Sequence, residues 1–593
     1  MEGRTRSWCW PPLLWLLAAS PLTACQGNSA EPLVFLDGGP ATDLDDGGPA
    51  TDLDDGGPAS DLDDGGPATD LDDGGPATDL DDGGPASDLE DGGPASDLDD
   101  GGPATDLDDG GPATDLDDGG PASDLEDGGP ASDLDDGGPA SDLDDGGPAT
   151  DAGPVPPLFD LPAIRDPATA SCELTQQRVA FADGAILTAW NVSFRSWESI
   201  GGELRPIRIR GFLARPADAA GGLPGIVVAH GLGGYAEEDD ATAVAARTGA
   251  MVLAYTGPGG GSVPDNTSEG LPAMDRDGYR LFETLPDPRG SWFWGHTVAA
   301  LRALTCLQAH PEVDPARLGM TGFSAGGVAT LLAAAVDDRI RAAVPVSASL
   351  AWDVAVSSPD AWQVPLLQHA GLTTASPEWL RLLDSLIAAD SLLPGTRAAV
   401  LMVNGTTDEF FPIPAHVATF AAIPGATKRT SFVGNFDHGC FSLSGVESEE
   451  VIDERAELRR NGGQRFWFRH HLAADPAFPR VPVPPLVTLQ PAGGGLLATA
   501  LVDMGDAALA VTAVRLWMSN DNGFIWFHQS LDEQGSGLYA AVVAAALVPE
   551  SLYYVDVEYR SSDLLFPTRF SISTLPTVPD GFVPHLREQE TCL

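Results

Sequence analysis

From Gly38 to Asp151 the chain repeats one nine-residue unit, Gly-Gly-Pro-Ala-Thr/Ser-Asp-Leu-Asp/Glu-Asp, about twelve and a half times. One leucine per unit cannot build a core. Three carboxylates per unit repel, and proline with paired glycines breaks both helices and strands. The stretch also carries about two-thirds of a formal net charge of -57, so the rest of the chain is only mildly acidic. A calcium-binding nonapeptide roll shares the glycine pair and the aspartate. Here, however, Ala41 stands where glycine is needed and Asp45 fills the apolar slot, which would bury carboxylates in the stack. An EF-hand loop fails because Gly47 takes the fifth ligand position after Asp43 and Asp45. The composition predicts a disordered acidic spacer over 38–151, with an r.m.s. reach of about 55–65 Å.

Ahead of the spacer, Arg4 and Arg6 precede an apolar stretch from Trp8 to Leu17, followed by Leu22-Thr23-Ala24-Cys25. This is the layout of an export signal over 1–24, and its apolar run is too short for a mature membrane helix. Leu-Thr-Ala-Cys resembles the lipobox of bacterial lipoproteins. The resemblance implies acylation of Cys25, an anchor segment over 25–37 and, with Gln26 next, an outer-membrane lipoprotein facing the periplasm or the cell surface. Processing removes Cys9 and commits Cys25, leaving Cys172, Cys306, Cys440 and Cys592. Four cysteines in an exported protein permit two disulfides in three connectivities.

After Pro154-Val155-Pro156-Pro157 the composition turns globular. Short apolar runs alternate with helical segments, the pattern of a mostly parallel sheet with helices on both faces, over 152–480. The buried strands are predicted at 225–229, 250–255, 317–321, 342–346, 398–403 and 430–433, with an antiparallel strand at 207–213. Helices are predicted at 297–307 and 328–336.

Gly322-Phe323-Ser324-Ala325-Gly326 lies between one such strand and one such helix. The five-residue pattern alone is weak in a chain with 69 glycines. Strand, sharp turn and helix together are what a nucleophile elbow requires. A serine hydroxyl needs a base beside it, and the base needs an orienting acid. Asn404-Gly405-Thr406-Thr407-Asp408 directly follows the strand ending at Val403, and Asn435-Phe436-Asp437-His438-Gly439 follows the last strand, each placing its residue on the loop at a strand's carboxyl end, so Ser324, Asp408 and His438 are the predicted triad. Asp437 and Asp353 are rival acids. The oxyanion hole calls for two backbone N–H groups, predicted at Ala325 and at Leu232, with Gly231 as the alternative. His230 is read as structural rather than catalytic.

His230-Gly231-Leu232-Gly233-Gly234, Val313-Asp314-Pro315-Ala316-Arg317-Leu318, Gly-Phe-Ser-Ala-Gly-Gly, Asn404-Gly405-Thr406-Thr407-Asp408 and Asp437-His438-Gly439 together resemble one branch of the α/β-hydrolase superfamily. That branch holds dienelactone hydrolases, acetyl xylan esterases and prolyl oligopeptidases, and the resemblance covers about residues 178–475. It implies hydrolysis through an acyl-enzyme, without metal or organic cofactor, on a small-molecule or carbohydrate ester, with a peptide as the alternative. True oligopeptidases carry a large N-terminal propeller, for which the residues between the spacer and the first sheet motif leave no room. Trp352 to Leu393, between two strands and bearing Trp362 and Trp379, either caps the pocket or adds core aromatics.

Past Pro482-Val483-Pro484-Pro485 the periodicity drops to two, as in 513–518 and 552–559. About seven short strands over 481–593 predict an all-β immunoglobulin- or fibronectin-like sandwich. No basic patch is present, which argues against nucleic-acid binding. The competing class is a non-catalytic surface binding protein on a hydrolase scaffold.

Overall fold

A computed structural model describes residues 158–586 apart from 276–277, 439–446, 474–477, 545–551, 562–567 and 580. The export signal, Cys25, the acidic repeat, Cys440 and Cys592 lie outside the described residues.

Three strands, β1 (Glu173–Ala182), β2 (Ala185–Ile200) and β3 (Glu203–Pro216), form an antiparallel meander. Along β2 buried and exposed positions interleave, as expected of strands with one face packed and one face wetter. The following strands are different in kind. β4 (Leu223–Ala229), β5 (Met251–Tyr255), β7 (Ile340–Val346) and β8 (Ala399–Gly405) are largely apolar runs buried on both faces; β6 (Val313–Phe323) becomes one from Leu318 onward, and β9 (Lys428–Val433) is buried although it begins Lys-Arg-Thr-Ser. They pair in parallel in the order β5-β4-β6-β7-β8-β9. Each predicted parallel strand coincides with one of these, Ala250 and Ala398 alone falling one residue ahead of β5 and β8, and the predicted helices fall within α2 (Trp292–Ala309) and α3 (Ala325–Val336). The chain passes from β4 through α1 (Glu238–Thr248) to β5, then through α2 back across β4 to β6. Strand order therefore reverses between β4 and β6. A crevice opens at the carboxyl ends of the strands at such a point, which is where α/β sheets bind ligands.

Cores lie on both faces of the sheet. One gathers α2, α3 and the segment after β7, with Trp352 and Trp379 fully buried. The other gathers α1, α6 (Gly463–Leu472; α4 is Ile413–Ala422 and α5 is Glu449–Glu457) and apolar residues of the C-terminal strands. Burying one large apolar side chain contributes about 1.5–3 kcal/mol, so each tryptophan is a substantial local tie. Cys172 pairs with Cys306 of α2, at a Cα separation of 5.8 Å. This selects one of the possible bridges and fastens the start of β1 to the helix beneath the sheet.

The C-terminal region is β-rich, as its periodicity predicts. Among the described residues it holds β10 (Leu486–Ala492), β11 (Gly495–Leu501), β12 (Leu509–Ser519), β13 (Phe527–Ser530), β14 (Asp532–Gly535), β15 (Leu538–Ala544), β16 (Leu552–Ser561) and β17 (Arg569–Ser573). One sheet runs β10-β11-β15-β14. The other, β17-β16-β12-β13, continues the main sheet, because β17 pairs antiparallel with β9 at Thr430 and Ser573. This adds something that periodicity alone does not contain: one sheet of the C-terminal region is also the far wing of the main sheet. The physical reason is the outer edge of β9, whose unpaired N–H and C=O groups need cover.

Candidate active site

Ser324 sits at φ 55° and ψ -121°, between β6 and α3. A non-glycine residue with positive φ is strained, and here the strain carries the serine over the end of the sheet. The turn is tight enough to exclude any Cβ beside it. One on Gly322 would lie 2.4 Å from the Gly326 carbonyl group, and one on Gly326 would lie 2.2 Å from the Ala229 oxygen. The Ser324 N–H donates to the Val346 carbonyl at 3.0 Å, tying the elbow to β7.

The loop after β4 runs alongside. A Cβ on Gly231 would meet Ser324 Cβ at 3.3 Å, so the loop predicted to bind the oxyanion lies beside Ser324. Ala325 opens α3, where the first N–H groups have no intrahelical acceptor. Among the described residues neither the Ala325 nor the Leu232 amide donates to a protein acceptor. His230 explains how the loop keeps its shape. Its Nε2 accepts from the Gly257 N–H at 2.8 Å, which leaves the proton on Nδ1 to donate to the Gly231 carbonyl at 2.6 Å. Burial pushes this imidazole down to about 4, so it stays neutral and keeps both bonds. Carbonyl and N–H point opposite ways across a trans peptide, so pinning the Gly231 oxygen turns the Leu232 N–H the other way. His230 is a structural residue, as its position in the loop suggests.

On the other side of Ser324, His438 Nε2 lies 2.8 Å from Ser324 Oγ, and His438 Nδ1 lies 3.0 Å from Asp408 Oδ1. The same Asp408 oxygen accepts from the Phe410 and Phe411 N–H groups at 3.0 and 2.8 Å, which fixes the carboxylate rotamer. All three side chains are buried. The rival acids are not the partner of His438: Asp353 is exposed in the short helix Trp352–Ala355, and Asp437 is displaced by Asp408 at Nδ1.

Two residues in this site carry no signal of their own in the sequence. Phe410 stacks on the His438 ring, with centroids 3.9 Å apart and planes 16° from parallel. Such a contact contributes about 0.5–1.5 kcal/mol beyond simple burial. Trp362 stacks on the outer face of Phe410 at 4.4 Å, while Trp352 and Trp379 sit in the core. The segment after β7 thus supplies both core aromatics and, through Trp362, a second layer behind the histidine. The other residue is Glu409, whose Oε2 accepts from the His438 N–H at 3.2 Å. Burial first, then the charges of Asp437 and Asp408, push its carboxyl well above the ordinary value. Only its place next to Asp408 could have marked it. Among the described residues no group of three or more His, Cys, Asp or Glu side chains is arranged to hold a metal ion.

A family model described as acetyl xylan esterase matches residues 178–353, and one described as the prolyl oligopeptidase family matches residues 298–442. The first spans the oxyanion loop and Ser324, and the second spans Ser324, Asp408 and His438. The chain carries an α/β-hydrolase of the esterase and peptidase branch. Among solved structures this hydrolase is similar to the acetyl xylan esterase from Paenibacillus sp. R4, at 19% identity and a TM-score of 0.40, covering 50% of this chain and 90% of that one. It is also similar to acetyl xylan esterase 1 from Thermoanaerobacterium sp. JW/SL YS485, at 20% identity and a TM-score of 0.37, covering 51% and 96%. A third is the acylaminoacyl peptidase of Pyrococcus horikoshii, at 15% identity and a TM-score of 0.33, covering 51% and 42%. No curated protein matches the hydrolase in sequence.

Proposed function

We propose that the chain is a serine hydrolase that cleaves carboxylic esters by acyl transfer from Ser324 to water. The observation that carries this reading is the continuous hydrogen-bonded line from Asp408 through His438 to Ser324. His438 Nε2 takes the Ser324 proton as Oγ attacks the ester carbonyl carbon. Asp408 holds the imidazole in the required tautomer and stabilises the imidazolium that forms. The Ala325 and Leu232 N–H groups receive the oxyanion of the tetrahedral intermediate. His438 then returns the proton to the leaving alcohol, and water repeats the sequence on the acyl-enzyme.

An ester is favoured over a peptide by what lies ahead of the catalytic motifs. The residues between the acidic repeat and β4 are used for β1 to β3, which belong to the main sheet and leave nothing for a substrate-screening propeller. The peptide reading keeps one support, the prolyl oligopeptidase family match across the triad. A fluorophosphonate probe tests the nucleophile: it should label the wild type and miss Ser324→Ala, and equal labelling of both would refute the assignment. Turnover of p-nitrophenyl acetate against a peptide anilide separates the two substrates, and failure on both returns the non-catalytic binding reading.

The lipobox-like Leu22-Thr23-Ala24-Cys25 supports an outer-membrane lipoprotein whose acidic repeat is a tether. Metabolic labelling with a radioactive fatty acid should mark the wild type and not Cys25→Ala. Label retained by the variant would end that reading.

A further inference from the structure

His438 comes on the loop after β9, the last strand of the parallel run, beyond which no further parallel strand lies. Here that loop, 434–438, is gripped from outside by the C-terminal region. Asn435 stands at φ 58° and uses its side-chain amide as a small backbone mimic. Its Oδ1 accepts from the Trp526 N–H at 2.8 Å while its Nδ2 donates to the Trp526 carbonyl at 2.8 Å. The same Nδ2 donates to Glu447 Oε2 at 2.9 Å. Arg455 of α5 donates to the Gly434 carbonyl at 2.8 Å and to both Glu447 oxygens, at 3.0 and 2.5 Å. Its guanidinium lies 4.5 Å from the Trp517 ring centroid, over the ring. Burial works against the Glu447 charge, but the His528 ring 3.6 Å away and the hydrogen bonds from Arg455 and Asn435 hold its carboxyl well below the usual range. Gly434 packs so tightly on Trp517 that a Cβ there would come within 2.5 Å of the ring.

The strand feeding the loop is held in the same way. The Phe432 N–H donates to Ser573 Oγ at 3.1 Å. Arg459, fully buried, donates from Nε to the Phe432 carbonyl and from its guanidinium to Asp556 on β16. The contacts made by the strand and loop themselves fall on residues 432–435, and Glu447, Arg455 and Arg459 carry them onward to Trp517 and Asp556; none of them involves Ser324 or the oxyanion loop.

We propose that the C-terminal β region is a brace for the catalytic histidine, in which Asn435, Glu447 and Arg455 lock the loop 434–438 to Trp517 and Trp526 and so keep His438 within reach of Ser324. The proposal rests on the serine-hydrolase reading above. Asn435 is a positioning residue. It touches no reacting atom, but a misplacement of about 1 Å at the base can cost about a hundredfold in rate.

The test is Asn435→Gly, which frees the positive-φ backbone from strain and removes only the side-chain bonds. In the full chain, assayed well below its melting temperature, kcat for p-nitrophenyl acetate should fall by about 30- to 100-fold with KM within about threefold. The rate of fluorophosphonate labelling should fall by the same factor as kcat. A kcat within twofold of wild type, with labelling equally fast, would show that the contacts are packing only and would overturn the brace alone. A wild type that neither labels nor turns over would overturn the serine-hydrolase reading and the brace with it. If Asn435→Gly does not fold, Glu447→Gln decides on the same readouts: a fall of about fivefold or more in kcat at constant KM supports the brace, and an unchanged kcat overturns it.

Discussion

The two halves of the site are built on different principles. The nucleophile half is made of backbone. Ser324 and its oxyanion loop are held by main-chain bonds, by the neutral His230 ring and by glycines whose missing Cβ atoms let β4, β6 and α3 close on one another. The histidine half is made of side chains. Asp408, Glu409, Phe410, Asn435, Glu447 and Arg455 set the position of His438 from several directions, the first three from the loop after β8 and the last three from the chain on either side of the histidine. A backbone device tolerates almost no change but needs few residues. A side-chain device spreads the task, so each member can be weakened without collapse. The difference predicts that single substitutions on the nucleophile side act all or none, whereas those on the histidine side are graded.

The largest expected effect tests the first half. In Gly326→Ala the new Cβ would meet the Ala229 oxygen at 2.2 Å and the His230 oxygen at 2.6 Å. Both obstacles are backbone at the carboxyl end of β4, and neither can yield without disturbing the β4–β6 pairing. A clash of that kind belongs with the exceptional substitutions that cost more than about 4–5 kcal/mol, a large part of the usual 5–15 kcal/mol total. Calorimetry should find the melting temperature lowered by about 10 °C or more, or no soluble protein at all. A variant melting within about 3 °C of wild type would remove the distinction between the halves. Asn435→Gly comes next in size: it is expected to impair catalysis in a folded protein, which Gly326→Ala cannot do.

What was legible in the sequence follows the same division. Ser324, Ala325, Leu232 and the strands around them are local features, since apolar runs, glycines and turn residues adjacent in the chain decide them. Asp408 and His438 were legible because each lies on the loop at the carboxyl end of its strand. The C-terminal region was legible as β-rich from its period-two pattern, but not as the far wing of the catalytic sheet. The β9–β17 pairing joins Thr430 to Ser573, and β9 alone does not say what covers its edge. Asn435 reads as an ordinary loop asparagine until Trp526 is beside it. Glu409 reads as one more acidic residue until burial makes it costly.

Glu409 gives the smallest and most graded test of the histidine half. Burial, with Asp437 and Asp408 adding repulsion, raises its folded-state carboxyl well above the ordinary value. The folded protein therefore keeps a proton that the unfolded chain releases. Stability from this group is fully present below the ordinary carboxyl value and is lost as pH rises through the raised one. Glutamine has nearly the same shape, cannot ionise, and can still accept from the His438 N–H through its amide oxygen. Glu409→Gln should thus melt close to wild type at pH 4 and progressively above it as pH rises, by a few degrees in neutral to alkaline buffer. Parallel melting curves from pH 4 to 9 check this. A difference between the two proteins that stays constant with pH, or that shrinks as pH rises, would mean that Glu409 ionises freely in the folded state. The histidine loop would then carry a second buried negative charge beside Asp408.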